Sequence, residues 1–286
     1  MEVVIGKTAG FCAGVNYAVK TATKNIENKE IDKLYCLGEL VHNGQVVKKL
    51  ENQGMITVDN IEDVPDGETV IFRAHGEAES VYLRAEEKNL KVIDLTCGKV
   101  RIIHDKVKKQ RDNAFIIIIG KRKHPEIIAT KGFAGPNSYV IESDDDILDA
   151  YMEYEKTLLG KVYIVAQTTF SSAKFDYLKG EIEKDFCEAE LLFDKTICDA
   201  TEKRQAETLN LSEEFKVMVV IGGKNSSNTK ELVNLAKDKC ETVYSIETVS
   251  ELENEDFTNV DKVCIMAGAS TPQESILEVK EFLENK

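Results

Sequence analysis

The sequence predicts an α/β protein built from three similar small modules with mostly parallel sheets. Short apolar runs alternate with helical patterns along the chain, and nine of these runs fall into three sets of three that share one arrangement. Repetition of one strand–helix unit is the signature of a modular fold. Because ligands bind beyond the carboxyl ends of parallel strands, we expect the functional residues at the strand ends.

The residues at the ends of the predicted strands recur in a matched register. In the first set a glycine closes the strand and a polar residue follows four positions later. In the second set a polar residue follows the strand, and in the third set a cysteine does. The end residues are His42, His124 and Ser226 in the first set, His75, Thr168 and Ser270 in the second, and Cys12, Cys97 and Cys198 in the third.

Helical patterns follow most of these strands and divide the chain into three modules. The clearest of them cover residues 46–51, 100–111 and 203–215. Polar residues scattered over the strand ends, as in any α/β protein, are the alternative, and the threefold recurrence argues against it. The predicted modules are residues 1–96 with Cys12, His42 and His75, residues 97–194 with Cys97, His124, Glu126 and Thr168, and residues 195–286 with Cys198, Ser226, Asn228 and Ser270.

The charge balance excludes two classes of partner. The 286-residue chain carries 37 Lys and Arg against 51 Asp and Glu, a net charge of −14. Such a surface repels phosphate backbones and anionic lipids, so we expect neither a nucleic acid nor a membrane as partner. The longest apolar run, residues 114–119, is too short to cross a bilayer, and no basic stretch followed by an apolar region marks the N-terminus. We therefore expect a cytoplasmic protein.

Three of the seven cysteines stand at strand-to-helix turns and are candidate metal ligands. A thiol at a helix N-terminus ionises more readily, as a metal ligand must. The absence of any Cys-x-x-Cys pair removes the main support for a zinc ribbon or a thioredoxin-like site. Cys12, Cys97 and Cys198 suit an iron–sulfur cluster with one open iron, with simple packing as the alternative. Cys36 and Cys264 lie inside apolar runs and are expected in the core.

The polar residues at the strand ends suit a phosphate ligand. Donors at strand ends and helix N-termini bind phosphate or diphosphate groups, although a single histidine is more often structural. The segment from Gly222 to Ser226 lacks the spacing of a P-loop, so we reject that motif. The candidates are His42, His75, His124, Ser226, Ser227, Asn228 and Ser270.

A carboxylate follows one of these histidines at short range. Glu126 stands two residues beyond His124, with Pro125 between them. In a dry pocket the pKa of such a carboxyl rises and the group can donate a proton. The alternative is a solvated acid in the first turn of a helix that Pro125 begins.

Nine short motifs in order, from Gly10 to Ser270, resemble those of the 4-hydroxy-3-methylbut-2-enyl diphosphate reductase family, which catalyses the last step of the non-mevalonate isoprenoid pathway. The resemblance covers nearly the whole chain, and its specificity comes from the ordered set. The motifs are Phe11-Cys-Ala-Gly14, Val41-His-Asn43, Ala74-His-Gly76, Thr96-Cys97, His124-Pro-Glu126, Gln167-Thr-Thr169, the Cys198 to Gln205 segment, Lys224-Asn-Ser-Ser-Asn228 and Ala267-Gly-Ala-Ser270.

The resemblance implies three modules in pseudo-threefold arrangement around a central [4Fe–4S] cluster bound by Cys12, Cys97 and Cys198. It implies that the hydroxyl of the substrate is lost as water after two electrons and two protons arrive. Glu126 and Thr168 are then expected to deliver the proton and orient the hydroxyl. The remaining polar set is expected to hold the diphosphate. Because all the proposed ligands come from one chain, we expect a monomer.

The chain departs from the family's pattern at two places. Gly98 replaces the proline that usually follows the second cysteine, which loosens that turn. Ile128 and Ala129 replace an acidic residue and a glycine after the His-Pro-Glu motif. Neither departure removes a candidate ligand, so the expected activity stands.

A run of basic residues follows Cys97 in this otherwise acidic chain. It is a candidate docking site for an acidic ferredoxin or flavodoxin as electron donor, and an ordinary solvated helix face is the alternative. Two other functions remain open from the residues: an iron–sulfur hydro-lyase, which needs no net electrons, and a cluster-based sensor. The basic residues are Lys99, Arg101, Lys106, Lys108, Lys109 and Arg111.

Overall fold

The computed structural model describes residues 1–28 and 30–286, and parallel strands alternate with helices throughout. The strands are β1 (Glu2–Ile5), β2 (Leu34–Leu37), β3 (Met55–Val58), β4 (Thr69–Phe72), β5 (Lys91–Asp94), β6 (Phe115–Ile119), β7 (Ser138–Ile141), β8 (Lys161–Ala166), β9 (Glu190–Asp194), β10 (Val217–Ile221), β11 (Thr242–Ile246) and β12 (Lys262–Ala267). The helices are α1 (Ala13–Ile26), α2 (Gly44–Asn52), α3 (Glu79–Glu87), α4 (Gly98–Gln110), α5 (Pro125–Ala134), α6 (Ile147–Glu155), α7 (Ser172–Asp185), α8 (Asp199–Glu214), α9 (Ser227–Lys237) and α10 (Gln273–Glu284).

The strands form three four-stranded sheets, and every pair of neighbouring strands is parallel. Their orders are β3-β2-β4-β5, β7-β6-β8-β9 and β11-β10-β12-β1. The three orders follow one plan, in which a strand of the first set and a strand of the second set pair at the centre. The predicted α/β fold of three parallel-sheet modules is therefore confirmed.

The first strand belongs to the sheet that the C-terminal strands form. β1 pairs with β12, so that Val3 lies opposite Val263 and Ile5 opposite Ile265. The side chains of Val3 and Ile5 pack against the buried core of that sheet. The prediction that residues 1–96 form the first module therefore does not hold for β1. An apolar edge strand joins the sheet that buries its side chains, whatever its position along the chain.

The chain divides into two compact units. Unit 1 comprises residues 1–17, 41–50 and 199–286 and holds the sheet of β1 and β10–β12. Unit 2 comprises residues 18–40 and 51–198 and holds the other two sheets. No helix among the described residues combines the length and the apolar character needed to cross a membrane.

Two of the central strands, β6 and β10, are buried along their whole length because helices cover parallel sheets on both faces. Phe115–Ile119 is buried at every position, and so is Val217–Ile221. Uniform burial explains why these segments are continuous apolar runs rather than alternating ones. The outer strand Glu190–Asp194 carries polar residues at both ends and is only partly buried.

Polar side chains begin the three helices that follow the first-set strands. Asn43 Oδ1 accepts from the N–H of Val46 at α2 (3.1 Å), His124 Nδ1 from that of Glu126 at α5 (3.2 Å), and Ser226 Oγ from that of Thr229 at α9 (3.2 Å). Each cap satisfies one of the N–H groups that have no partner inside the helix. The caps therefore place polar residues at the carboxyl ends of β2, β6 and β10.

Candidate active site

The three candidate ligand cysteines occupy equivalent backbone positions. Each directly precedes a helix: Cys12 precedes α1, Cys97 precedes α4 and Cys198 precedes α8. Each backbone N–H donates to the carbonyl of the second residue beyond a second-set strand. The bonds are Cys12 to Ala269 (3.1 Å), Cys97 to Ala74 (3.0 Å) and Cys198 to Thr168 (3.1 Å). The same bond thus fixes each cysteine against its neighbouring strand.

The remaining cysteines have a different environment. Cys36 and Cys264 lie inside buried strands, and burial raises the pKa of each thiol to about 12. Cys240 is buried and donates to the carbonyl of Phe215 at 3.0 Å, while Cys187 is exposed. The three turn cysteines are instead half-buried. Buried protonated thiols act as core residues, as expected for Cys36 and Cys264.

Glu126 lies in the first turn of α5 and is held by Thr168. The side chain is only 2 % exposed, which is inconsistent with a solvated helix acid. Its Oε1 accepts from the backbone N–H of Thr168 at 2.6 Å, and its Oε2 from the Thr168 hydroxyl at 2.7 Å. Burial raises the pKa of Glu126 to about 7, against the opposing effect of the two Thr168 bonds. Glu126 can therefore hold a proton near neutral pH.

His124 is fixed in orientation and tautomer by its role as a cap. Because Nδ1 accepts from the N–H of Glu126, the proton of the neutral ring lies on Nε2. The His75 ring meets the His124 ring edge to face, with centroids 5.4 Å apart. Unit 2 therefore brings His75, His124, Glu126 and Thr168 together at the ends of β4, β6 and β8.

Gln167, which is not among the predicted site residues, links two of these turns. It is 1 % exposed, and its Oε1 accepts from the N–H of Lys121 at 3.1 Å while its Nε2 donates to Thr169 at 2.7 Å. The turn after β6 is thereby joined to the turn after β8. The available signal was the position of Gln167 in the Gln-Thr-Thr motif.

In unit 1 the predicted phosphate-binding residues gather around the backbone of His42. The Ser270 hydroxyl donates to the His42 carbonyl at 2.9 Å. The loop after β10 comes equally close, since a Cβ on Gly223 would lie 2.4 Å from that carbonyl oxygen. Only glycine permits this approach. Ser226, which caps α9, follows in the same loop and is buried.

Asn228 lies beside Ser226 and Ser227 in the first turn of α9. It is 4 % exposed, and neither Oδ1 nor Nδ2 has a hydrogen-bond partner among the described residues. An unsatisfied buried amide costs about 1–3 kcal/mol. A polar ligand at this helix N-terminus would satisfy it, so the donor set of unit 1 fits a phosphate group.

Helix α8, which follows Cys198, holds the loop that leads to Cys12. The Arg204 guanidinium donates to the carbonyls of Thr8 (2.6 Å from Nη2) and Gly10 (2.8 Å). One turn later, the Glu207 carboxylate accepts the N–H groups of Lys7 and Thr8, both at 2.7 Å. These bonds hold the loop that ends at Cys12, and they give a structural reason for the arginine in the Cys198 to Gln205 segment.

Comparison with known proteins assigns the chain to a family. The family described as "LytB protein" matches residues 3–284. The chain belongs to the LytB family. One LytB relative, 4-hydroxy-3-methylbut-2-enyl diphosphate reductase of Clostridioides difficile, is 38% identical over all of both chains. The enzyme of the same name from Aquifex aeolicus is 38% identical over 99% of this chain and 96% of its own.

Two solved structures have the same fold as this chain. The Plasmodium falciparum structure, titled E-1-hydroxy-2-methyl-but-2-enyl-4-diphosphate reductase, has a TM-score of 0.88 at 29% identity and covers 99% of this chain and 87% of its own. A second, titled (E)-4-Hydroxy-3-methyl-but-2-enyl Diphosphate Reductase, the Terminal Enzyme of the Non-Mevalonate Pathway, has a TM-score of 0.72 at 36% identity and covers all of both chains. The resemblance and the prediction of an enzyme are confirmed.

The basic residues of α4 and its C-cap Arg111 are largely engaged in ion pairs in this LytB chain. Arg101 pairs with Asp94 (3.1 Å), and Lys106 with Asp194 (2.7 Å). Lys108 and Arg111 both pair with Glu79, at 2.6 and 2.7 Å. The positive charge expected to attract an acidic electron donor is therefore partly neutralised within unit 2.

Proposed function

We propose that this chain reduces 4-hydroxy-3-methylbut-2-enyl diphosphate to isopentenyl and dimethylallyl diphosphate. The carbon–oxygen bond of the substrate's hydroxyl group breaks, two electrons and two protons are consumed, and water leaves. The observation that carries the proposal is the buried Glu126–Thr168 pair, a proton-holding carboxyl beside the turn of Cys198. The full-length similarity to proteins named as this reductase supports the substrate.

The donor set fits a [4Fe–4S] cluster. Cys12, Cys97 and Cys198 are the three half-buried thiols that directly precede helices. We infer that each binds one iron. When bound, such a cluster supplies the electrons and a Lewis-acidic iron for the substrate's hydroxyl group.

The reacting end of the substrate would meet Glu126 and Thr168. Glu126 holds a proton near neutral pH because its site is buried, and Thr168 fixes both carboxyl oxygens in place. The pair therefore presents one proton at a defined position, and the Thr168 hydroxyl orients the hydroxyl of the substrate. General acid catalysis of this kind contributes about 10²–10⁴-fold.

Neutral donors would bind the diphosphate. His124 presents its Nε2–H, the Ser226 oxygen accepts in its cap and leaves its O–H to donate, and Asn228 presents an amide. Ser270 now donates to His42, so its hydroxyl would have to rotate to contact a phosphate. Uncharged donors bind an anion in an acidic chain without needing a local excess of lysines. The proposed set is His42, His75, His124, Ser226, Ser227, Asn228 and Ser270.

We propose a ferredoxin or flavodoxin as the electron donor, with docking near α4. Lys109 is the residue to test, because reversing Lys108 would also break its ion pair with Glu79. If docking uses this helix, Lys109→Glu slows turnover with reduced ferredoxin at low salt and leaves turnover with dithionite unchanged. Equal rates with both reductants would remove α4 from the docking surface.

That the protein is cytoplasmic and monomeric stays a prediction.

The deciding experiment is anaerobic purification followed by absorbance and electron spin resonance spectra, with and without the allylic diphosphate. We expect about four irons per chain, as a [4Fe–4S] cluster requires, a spectrum that changes with substrate, and reductant-dependent product formation. Cys198→Ser should lose iron, and the exposed Cys187→Ser should keep it. A protein without iron contradicts the proposal, and consumption of substrate without reductant indicates a hydro-lyase.

A further inference from the structure

The fourth histidine of the chain, His104, lies in the middle of α4 and has no role in the proposed chemistry. It is 3 % exposed, and its ring stacks on Phe133 with centroids 4.5 Å apart and an interplanar angle of 22°. Its Nε2 is buried without a hydrogen-bond partner among the described residues. Phe133 and the core residue Ile103 belong to the same apolar cluster of unit 2.

The other contact of His104 is the turn that carries His75. Gly76 adopts φ +75° there, and its N–H closes the turn by donating to the carbonyl of Arg73 at 3.0 Å. A Cβ on Gly76 would lie 2.5 Å from His104 Cε1 and 3.2 Å from Thr96 Cγ2. The turn therefore rests directly on the imidazole ring and on the residue before Cys97.

The contact acts through shape and not through charge. Burial lowers the pKa of His104 to about 4, against the opposing influence of Asp105 and Asp94, so the ring is neutral at physiological pH. A planar ring held by Phe133 has little rotational freedom, and it limits how far the turn can move inward. His75 precedes Gly76, and its own ring contacts His124.

We propose that His104 is a positioning residue, whose ring supports the turn of residues 73–76 and thereby places His75 for binding the diphosphate. This inference rests on the proposed function, because it assumes that His75 contacts the diphosphate. It assigns His104 no contact with substrate. Displacing a binding group by about 1 Å is enough to weaken its contribution substantially.

The test compares His104→Ala with Ile103→Ala, a buried neighbour on the same helix. Both substitutions remove core volume and should lower Tm. Only His104→Ala should weaken the binding of inorganic diphosphate to the cluster-loaded protein, by about tenfold in Kd, and raise KM for the allylic diphosphate with little change in kcat. Equal Kd values for the two variants would overturn the proposal.

A second readout does not depend on the ligand. Hydrogen exchange at the Gly76 amide should accelerate in His104→Ala and not in Ile103→Ala, because the supporting ring is lost only in the first. Unchanged exchange at Gly76 would overturn the proposal. If the wild type binds no diphosphate, the proposed function fails, and Gly76 exchange still decides whether His104 positions the turn.

His104→Phe provides a variant that keeps the stack on Phe133. Because a phenyl ring is larger than an imidazole, it should push the Gly76 turn outward and raise the Kd for diphosphate in a folded protein. A Kd equal to that of the wild type would contradict the positioning role.

Discussion

Thr168 donates to both carboxyl oxygens of Glu126, through its backbone N–H at 2.6 Å and its hydroxyl at 2.7 Å. The carbonyl of the same residue accepts the N–H of Cys198. One residue thus connects the proposed proton donor to a proposed cluster ligand. Any displacement of the turn at Thr168 would therefore move both the Glu126 carboxyl group and Cys198.

Turnover should depend on the protonated form of Glu126. Because the pKa of Glu126 is raised to about 7, kcat should fall as pH rises above 7. Glu126→Gln keeps the size of the side chain and loses the proton, so kcat should fall about 10²–10⁴-fold. Iron content and the Kd for substrate should be unchanged. A Gln variant that turns over at the wild-type rate would remove Glu126 from the mechanism.

The same raised pKa predicts how stability depends on pH. The folded state holds the Glu126 proton more tightly than the unfolded state does, so the contribution is complete below the ordinary pKa of 4.5 and is lost as pH rises through about 7. The loss is on the order of 3 kcal/mol. Thermal unfolding of the wild type and of Glu126→Gln between pH 5 and pH 8 measures it. Parallel Tm curves would show that Glu126 does not titrate in this range.

Thr168 should set the pH above which kcat falls. Its hydroxyl lowers the pKa of Glu126 by donating a hydrogen bond to the carboxylate. Thr168→Val should therefore shift the fall of kcat to higher pH and reduce kcat itself. Thr168→Ser keeps the hydroxyl and should stay close to the wild type. The kcat profiles of the two variants separate the bond from the packing of the methyl group. If the Val and Ser profiles coincide, the hydroxyl does not influence Glu126.

Asn228 should show opposite effects on stability and binding. Asn228→Ala removes a buried amide without a partner among the described residues, so the free energy of unfolding should change little or rise. The affinity for diphosphate should fall about tenfold or more, as for a lost polar contact of about 1.5 kcal/mol. Calorimetric unfolding and titration with inorganic diphosphate measure the two effects.

Thr229→Val is the matched control for Asn228→Ala. The Thr229 hydroxyl is also buried without a partner among the described residues, and Val has nearly the same shape. This variant should be at least as stable as the wild type and should bind diphosphate normally. Equal losses of affinity in both variants would point to a disturbed α9 instead of a lost contact.

Arg204 should be needed for cluster retention through the loop before Cys12. Lysine keeps the charge and loses the fork that contacts the carbonyls of Thr8 and Gly10. We expect Arg204→Lys to lose about 1–3 kcal/mol of stability and part of its iron. Lys203→Ala, an exposed neighbour, should retain both. Iron analysis of the two variants tests whether Arg204 is needed to retain the cluster. An iron content in Arg204→Lys equal to that of the wild type would contradict the prediction.

The strands of the three recurring sets could be identified from the sequence because their patterns are local. Runs such as Phe115–Ile119 are continuous and apolar, and a buried parallel strand requires that. Three strands were not identified: β3, β7 and β11. They are four or five residues long and carry polar side chains, as in Met55–Val58, so their apolar signal is weak.

Sheet membership, burial and hydrogen bonding were decided only by the tertiary structure. The apolar pattern of β1 does not specify its sheet, and its pairing with β12 depends on residues at the far end of the chain. The acid at Glu126 could have been solvated, and its burial against Thr168 decides its pKa. His104 gave no signal, since its contact with Gly76 joins helix α4 to a turn that lies far from it along the chain. An apolar strand pattern is visible within a few consecutive residues of the sequence. Strand pairing and the pKa of a buried group instead depend on residues that only folding brings into contact.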